Sequence, residues 1–124
     1  MARILIVEDN EMNRDMLSRR LERGGHTVTL AVCAEDGIAA VRRDRPDLVL
    51  MDLSLPDRDG LDATRELKAD EATRAIPIFA LTAHAMQTDR DAALAAGCDE
   101  FETKPVDYAR LSEKIARALG GGRG

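Results

Sequence analysis

Leu48-Val49-Leu50-Met51-Asp52 is an apolar run of strand length that stops on a carboxylate, and the reading of the whole chain turns on it. Three further runs resemble it: Ile4–Val7, Val28–Val32 and Ile76–Leu81, with a weaker fifth at Phe101–Thr103. Each is partly β-branched. The runs at Ile4, Leu48 and Ile76 are apolar at nearly every position, which is how strands covered on both faces read. A parallel sheet sandwiched between helices is the arrangement that covers both faces.

The gaps between the runs carry helical periodicity. Met12–Arg23 sets Met16, Leu17 and Leu21 on one face, with Asn10 as its N-cap and Gly24-Gly25 ending it. Ala34–Arg43 is alanine-rich with Ile38 and Val41 three apart, and Leu61–Lys68 sets Leu61 and Leu67 among charges. Met86–Ala96 runs into Gly97, and Val106–Leu119 shows Tyr108, Leu111, Ile115 and Leu119 at helical spacing. Strand and helix thus alternate five times, which implies right-handed crossovers and a doubly wound α/β sheet with helices on both faces. In such sheets ligands bind beyond the carboxyl ends of the strands, so chemistry is expected in the residues that follow each apolar run.

At 124 residues the chain is one domain, expected over 1–119 with a flexible Gly-rich tail at 120–124. With 44% hydrophobic and 33% charged residues it has the composition of a folded soluble protein. The net charge of -5 argues against nucleic acid, because phosphate-backbone binding needs a basic face. No apolar run approaches a membrane span, and the segment before Ile4 is too short for a signal peptide. The cytoplasm is the expected compartment, without membrane association. Cys33 and Cys98 lack metal or disulfide spacing and read as two small buried or half-buried thiols.

At the strand ends stand Glu8 and Asp9, then Asp52, then Thr82, then Lys104-Pro105. The fold would bring these three carboxylates, one hydroxyl and one lysine to a single edge. A carboxylate closing an apolar run is costly unless it is paired or bound to a metal. Clustered carboxylates repel, and magnesium, held by one or two of them with positions open to phosphate oxygens, relieves that repulsion. Lys104 adds a compact positive charge and Thr82 a hydroxyl donor. Such a set suits phosphoryl transfer onto a carboxylate, where catalysis is largely positioning and charge neutralisation.

Four segments carry a resemblance. Ile4-Leu5-Ile6-Val7-Glu8-Asp9-Asn10, Met51-Asp52-Leu53-Ser54-Leu55-Pro56-Asp57-Arg58-Asp59-Gly60, Ala80-Leu81-Thr82-Ala83 and Lys104-Pro105 together resemble the receiver domain of response regulators in two-component and phosphorelay systems. The resemblance runs from Arg3 to about Leu119, and Asp52 lies 30 positions before Thr82 and 52 before Lys104, as that family leads one to expect. It implies a flavodoxin-like (βα)5 fold with a five-stranded parallel sheet of order 2-1-3-4-5. Asp52 would be the phosphoacceptor, taking a phosphoryl group from the phosphohistidine of a histidine kinase or phosphotransfer protein. Asp9, Asp52 and the Ser54 carbonyl would hold Mg2+, with Glu8 assisting through water. Thr82 and Lys104 would contact the phosphoryl group, and the Lys104-Pro105 bond would be cis. Phe101 matches the family's switch aromatic, expected to bury its ring as Thr82 moves inward.

The stretch Ala80–Met86 is similar to receivers of hybrid kinases and of DivK-like single-domain regulators. Two positions past Thr82, His84 could tune phosphoryl lifetime, although a plain loop histidine would look the same. Asn13 reads as structural or as a contact to the donor, and Met12, Met16, Met51 and Met86 as core or rim packing.

On this resemblance the chain would be a phosphorylation-operated switch and no enzyme beyond self-phosphorylation and autodephosphorylation. With no room for a DNA-binding effector, output is expected from a protein partner docking around the fourth helix, fifth strand and fifth helix, or from onward relay. A phosphohydrolase of the haloacid dehalogenase group would need an acid two positions after the nucleophile, where this chain has Ser54. A flavodoxin-like mononucleotide carrier would want a Ser/Thr/Gly-rich loop where Glu8-Asp9-Asn10-Glu11 stands.

Overall fold

The computed structural model describes residues 2–83 and 86–120. Strands β1 (Arg3–Val7), β2 (Thr27–Ala31), β3 (Leu48–Asp52), β4 (Ile78–Thr82) and β5 (Glu100–Thr103) alternate with helices α1 (Glu11–Arg23), α2 (Ala34–Asp44), α3 (Gly60–Ala69), α4 (Gln87–Ala95) and α5 (Tyr108–Gly120). The sheet is parallel throughout, in the order β2-β1-β3-β4-β5. The expected sheet and strand order are therefore present.

Alternation along the strands sorts side chains onto two faces. Leu5, Val7, Val49, Met51 and Ile78 pack under α2 and α3 with Ile38, Val41 and Leu67. Ile4, Ile6, Leu48, Leu50, Phe79 and Leu81 meet Leu17 and Leu21 of α1 and Leu111 and Ile115 of α5 on the other side. All five residues of both β3 and β4 are buried. At the edge, β2 has one covered residue, Ala31, and leaves Leu30 half-exposed. Val32, read as the end of that strand, lies beyond it and is 45% exposed.

Element ends follow local chemistry. Asn10 caps α1 by accepting the Asn13 N–H at 2.9 Å. β4 starts at Ile78 instead of Ile76, because Pro77 has no N–H to give a ladder. α5 starts at Tyr108 instead of Val106: Asp107 accepts the Arg110 N–H at 3.1 Å as N-cap, and Val106 packs with Leu111 in the same cluster. α5 then runs through Gly120, one residue into the expected tail. Gly97, at φ +104°, ends α4 in a Schellman turn, with the Cys98 N–H donating to the Ala93 carbonyl and the Gly97 N–H to that of Leu94.

The methionines depart from expectation. Among the described methionines only Met51 is core; Met12, Met16 and Met86 are 76%, 54% and 69% exposed. Leu17 and Leu21 fill the inner stripe of α1, and Met12 and Met16, four apart, form a neighbouring outer one. Cys98 is buried and Cys33 half-buried, both free thiols.

Candidate phosphoacceptor site

Register brings the carboxyl ends of the central strands level: Val7 pairs with Met51, Asp52 with Leu81, and Thr82 with Thr103. Glu8 and Asp9 leave β1, Asp52 closes β3, Thr82 closes β4, and Lys104 leaves β5. Carboxylate oxygens of Glu8, Asp9 and Asp52 lie within 4.8 Å of one another. Glu8 and Asp52 are 1% and 2% exposed, whereas Asp9 faces solvent.

Lys104 answers these charges. Its Nζ lies 2.7 Å from Glu8 Oε1 and 3.2 Å from Asp52 Oδ1. The second Glu8 oxygen accepts the Asn10 N–H at 3.1 Å, and Asp52 Oδ1 the Ser54 N–H at 3.2 Å. Burial holds the Glu8 carboxyl above its ordinary pKa in spite of those hydrogen bonds, and the nearby Asp52 charge adds to the rise. For Lys104, burial works to lower the pKa; the hydrogen bond to Glu8 and the charge of Asp52 outweigh it, and the ammonium is stabilised. Lys104 is therefore a fixed cation shared by two buried carboxylates.

Thr82 is buried at 3% exposure, and its carbonyl accepts the Lys104 N–H at 2.7 Å. The Lys104-Pro105 bond is cis. Phe101 is 3% exposed and packs with Ala80, Ala93 and Cys98, with Arg90 of α4 5.0 Å above its ring. Its ring is already inside, so the expectation that it enters as Thr82 moves does not describe this structure; small residues beneath α4 leave the space it occupies. His84 lies outside the described residues.

Arg14 carried no signal in the sequence, and Gly60 showed only as the end of the Met51–Gly60 stretch. Arg14 reaches back from α1 and donates to the carbonyls of Glu8 at 3.0 Å and Asp9 at 3.2 Å, holding the acidic loop. Gly60 closes the loop after Asp52: its N–H donates to the Leu53 carbonyl, and a Cβ there would overlap the Asp52 carbonyl and sit 2.8 Å from Leu53 Cα. A cleft of about 450 Å³ opens beside Lys104, lined by Asn13, Met16, Arg20, Val106 and Tyr108 among others.

Comparison with known proteins agrees with this geometry. The response regulator receiver domain matches residues 4–116. The chain belongs to that family. The receiver domain is 40% identical over 121 residues to protein PilH of Pseudomonas aeruginosa, a match covering 98% of this chain and 100% of PilH. It is 37% identical over 117 residues to the polar-differentiation response regulator DivK of Brucella ovis, covering 94% and 95% of the two chains. Among solved structures, the receiver domain of a Pseudomonas aeruginosa sensor histidine kinase superposes with a TM-score of 0.89 at 40% identity, covering 96% of this chain and 98% of that one. That structure holds a magnesium ion coordinated in its active site cleft. The chain is thus a response regulator receiver, a phosphoacceptor switch of the kind to which PilH and DivK belong. Among the described residues, no helix is long and apolar enough to cross a membrane.

Proposed function

We propose that Asp52 accepts a phosphoryl group from the phosphohistidine of a histidine kinase or phosphotransfer protein. The observation behind this reading is the concentration of charge at one sheet edge: three carboxylates within 4.8 Å of one another against one ammonium, 3.2 Å from Asp52. That excess of two negative charges matches a divalent cation, and an all-oxygen donor set suits magnesium. Asp9, Asp52 and the Ser54 carbonyl would hold it, with Glu8, already engaged by Lys104, assisting through water. Magnesium would supply charge neutralisation for the phosphoryl oxygens. The residues do the rest. An Asp52 oxygen attacks phosphorus, the N–P bond breaks with its electron pair returning to the imidazole, and an acyl phosphate forms. Lys104 and Thr82 would bind phosphoryl oxygens, and later attack by water would regenerate Asp52.

The metal reading is tested with acetyl phosphate as donor. Phosphorylation should depend on magnesium and stop in chelator, and Asp9→Ala, which removes one carboxylate from the cation, should need about 10- to 100-fold more magnesium for the same rate. Equal rates with and without chelator would remove the cation from the mechanism.

The donor would seat on the cleft beside Lys104, where exposed Met16 and half-buried Val106 and Tyr108 offer an apolar rim. Output would leave through α4, β5 and α5, to a docking partner or by relay, within the cytoplasm. Because Phe101 is already inside, phosphorylation would act by holding the arrangement around it, through a charge-assisted hydrogen bond from Thr82 worth about 1.5–3 kcal/mol. A bias of that size shifts a two-state ratio roughly ten- to a hundredfold. Thr82→Ala should therefore still be phosphorylated yet lose most of the phosphorylation-dependent gain in partner affinity, measured by calorimetry with and without beryllofluoride. A full gain in that variant would show that the signal leaves by another route.

A further inference from the structure

The segment between Asp52 and α3 is tied down at its base and at its tip. At the base, Ser54 bridges Asp59 and the Gly60 N–H donates to the Leu53 carbonyl. At the tip, Asp57 reaches across to α2. Its Oδ1 accepts the Ala34 N–H at 2.8 Å and its Oδ2 the Glu35 N–H at 2.9 Å. These are the first two amides of α2, and the residue in N-cap position, Cys33, gives no side-chain cap. A carboxylate 23 positions away thus does the capping. Its backbone hydrogen bonds hold the Asp57 carboxyl below its ordinary pKa. The next residue adds a second tie: Arg58 bonds Glu35 of α2 at 2.7 Å, and Asp62 and Glu66 of α3 at 3.2 and 2.9 Å.

Asp57 is exposed and its charge is used on a helix of its own chain, so the pairing fixes geometry and not a core. What it fixes is the loop whose Ser54 N–H bonds Asp52 and whose Ser54 carbonyl is placed among the cation's ligands above. We propose that Asp57 is a positioning residue of the phosphoacceptor site: by capping α2 from a distance, it holds the Ser54 main chain in register with Asp52 for the divalent cation. The inference rests on the reading of Asp52 and magnesium given above. It also couples the site to α2, so cation binding and protection of the Ala34 and Glu35 amides should rise together.

The test separates a latch from a merely stabilising cap. Magnesium affinity is measured by calorimetric titration of unphosphorylated protein, and phosphorylation by acetyl phosphate is followed against magnesium concentration. Asp57→Ala should weaken magnesium binding about tenfold, with the maximal rate at saturating magnesium unchanged. Asp57→Asn keeps one acceptor oxygen in place and should recover much of the affinity; it also carries the test if the alanine variant fails to fold. Cys33→Ser then supplies α2 with a local cap, since Cys33 already has extended N-cap backbone (φ -149°, ψ 169°). Combined with Asp57→Ala, it should restore thermal stability and protection of the helix amides while magnesium affinity stays about tenfold low. Recovery of affinity together with stability would overturn the proposal, as would wild-type affinity in Asp57→Ala with Ala34 and Glu35 amides exchanging freely. Failure of the wild-type protein to bind magnesium would instead remove the reading underneath, and the latch with it.

Discussion

Asp52→Asn should abolish phosphorylation while leaving the fold intact. The amide is isosteric, can still accept the Ser54 N–H that now reaches Asp52 Oδ1 at 3.2 Å, and leaves Lys104 paired with Glu8 at 2.7 Å. An amide oxygen is a far poorer nucleophile than a carboxylate, so no acyl phosphate forms. With acetyl phosphate and magnesium, the wild-type chain should gain one phosphoryl group, stable to acid and labile to base, and the variant none. Undiminished labelling in Asp52→Asn would mean that another residue is the acceptor.

Lys104→Ala should have the second largest effect, on chemistry and on stability together. Removing the ammonium leaves Glu8, 1% exposed, and Asp52, 2% exposed, without their cation. Removing one partner of a buried ion pair costs about 3–5 kcal/mol; the partly exposed Lys104 side chain places this case near the lower end, about 3 kcal/mol. Urea denaturation would show it as a lower midpoint with an unchanged slope. Phosphorylation should slow by about 100-fold or more, the loss typical of deleting a positioned charge-stabilising donor. A variant as stable and as fast as the wild type would mean that solvent, not Lys104, balances the two carboxylates.

Much of the site was legible because a parallel sheet delivers its strand ends to one place. Once Ile4–Val7, Leu48–Met51 and Ile76–Leu81 read as doubly covered strands, Asp9, Asp52, Thr82 and Lys104 had to meet. The partners of Lys104 were less legible. The resemblance directs it to the phosphoryl group on Asp52, yet its shorter carboxylate contact is to Glu8, 96 positions away, because the Glu8 side chain turns inward beside the N–H of Asn10. Phe101 is expected from the resemblance to bury its ring as Thr82 moves inward; here Ala80 and Ala93 already give it room inside, which depends on how α4 sits on the sheet. Arg14, Asp57 and Arg58 act through backbone groups or through helices distant in sequence, and an arginine in a helix or an aspartate in a loop ordinarily reads as a solvated charge.

Hydrophobic periodicity, turn residues and strand-end carboxylates by themselves determined the alternating fold and the edge where chemistry lies, and the family resemblance singled out Asp52 as the residue that would carry the phosphoryl group. These are properties of pattern: the period of burial and the cost of a carboxylate in an apolar run are set locally. The tertiary structure alone decided which methionines are exposed, that Lys104 divides its charge between Glu8 and Asp52, and that the loop after Asp52 is fastened to α2. Those outcomes depend on distances between segments remote in the chain, and hydrogen bonds near 3 Å demand a placement that only the packed helices and sheet provide.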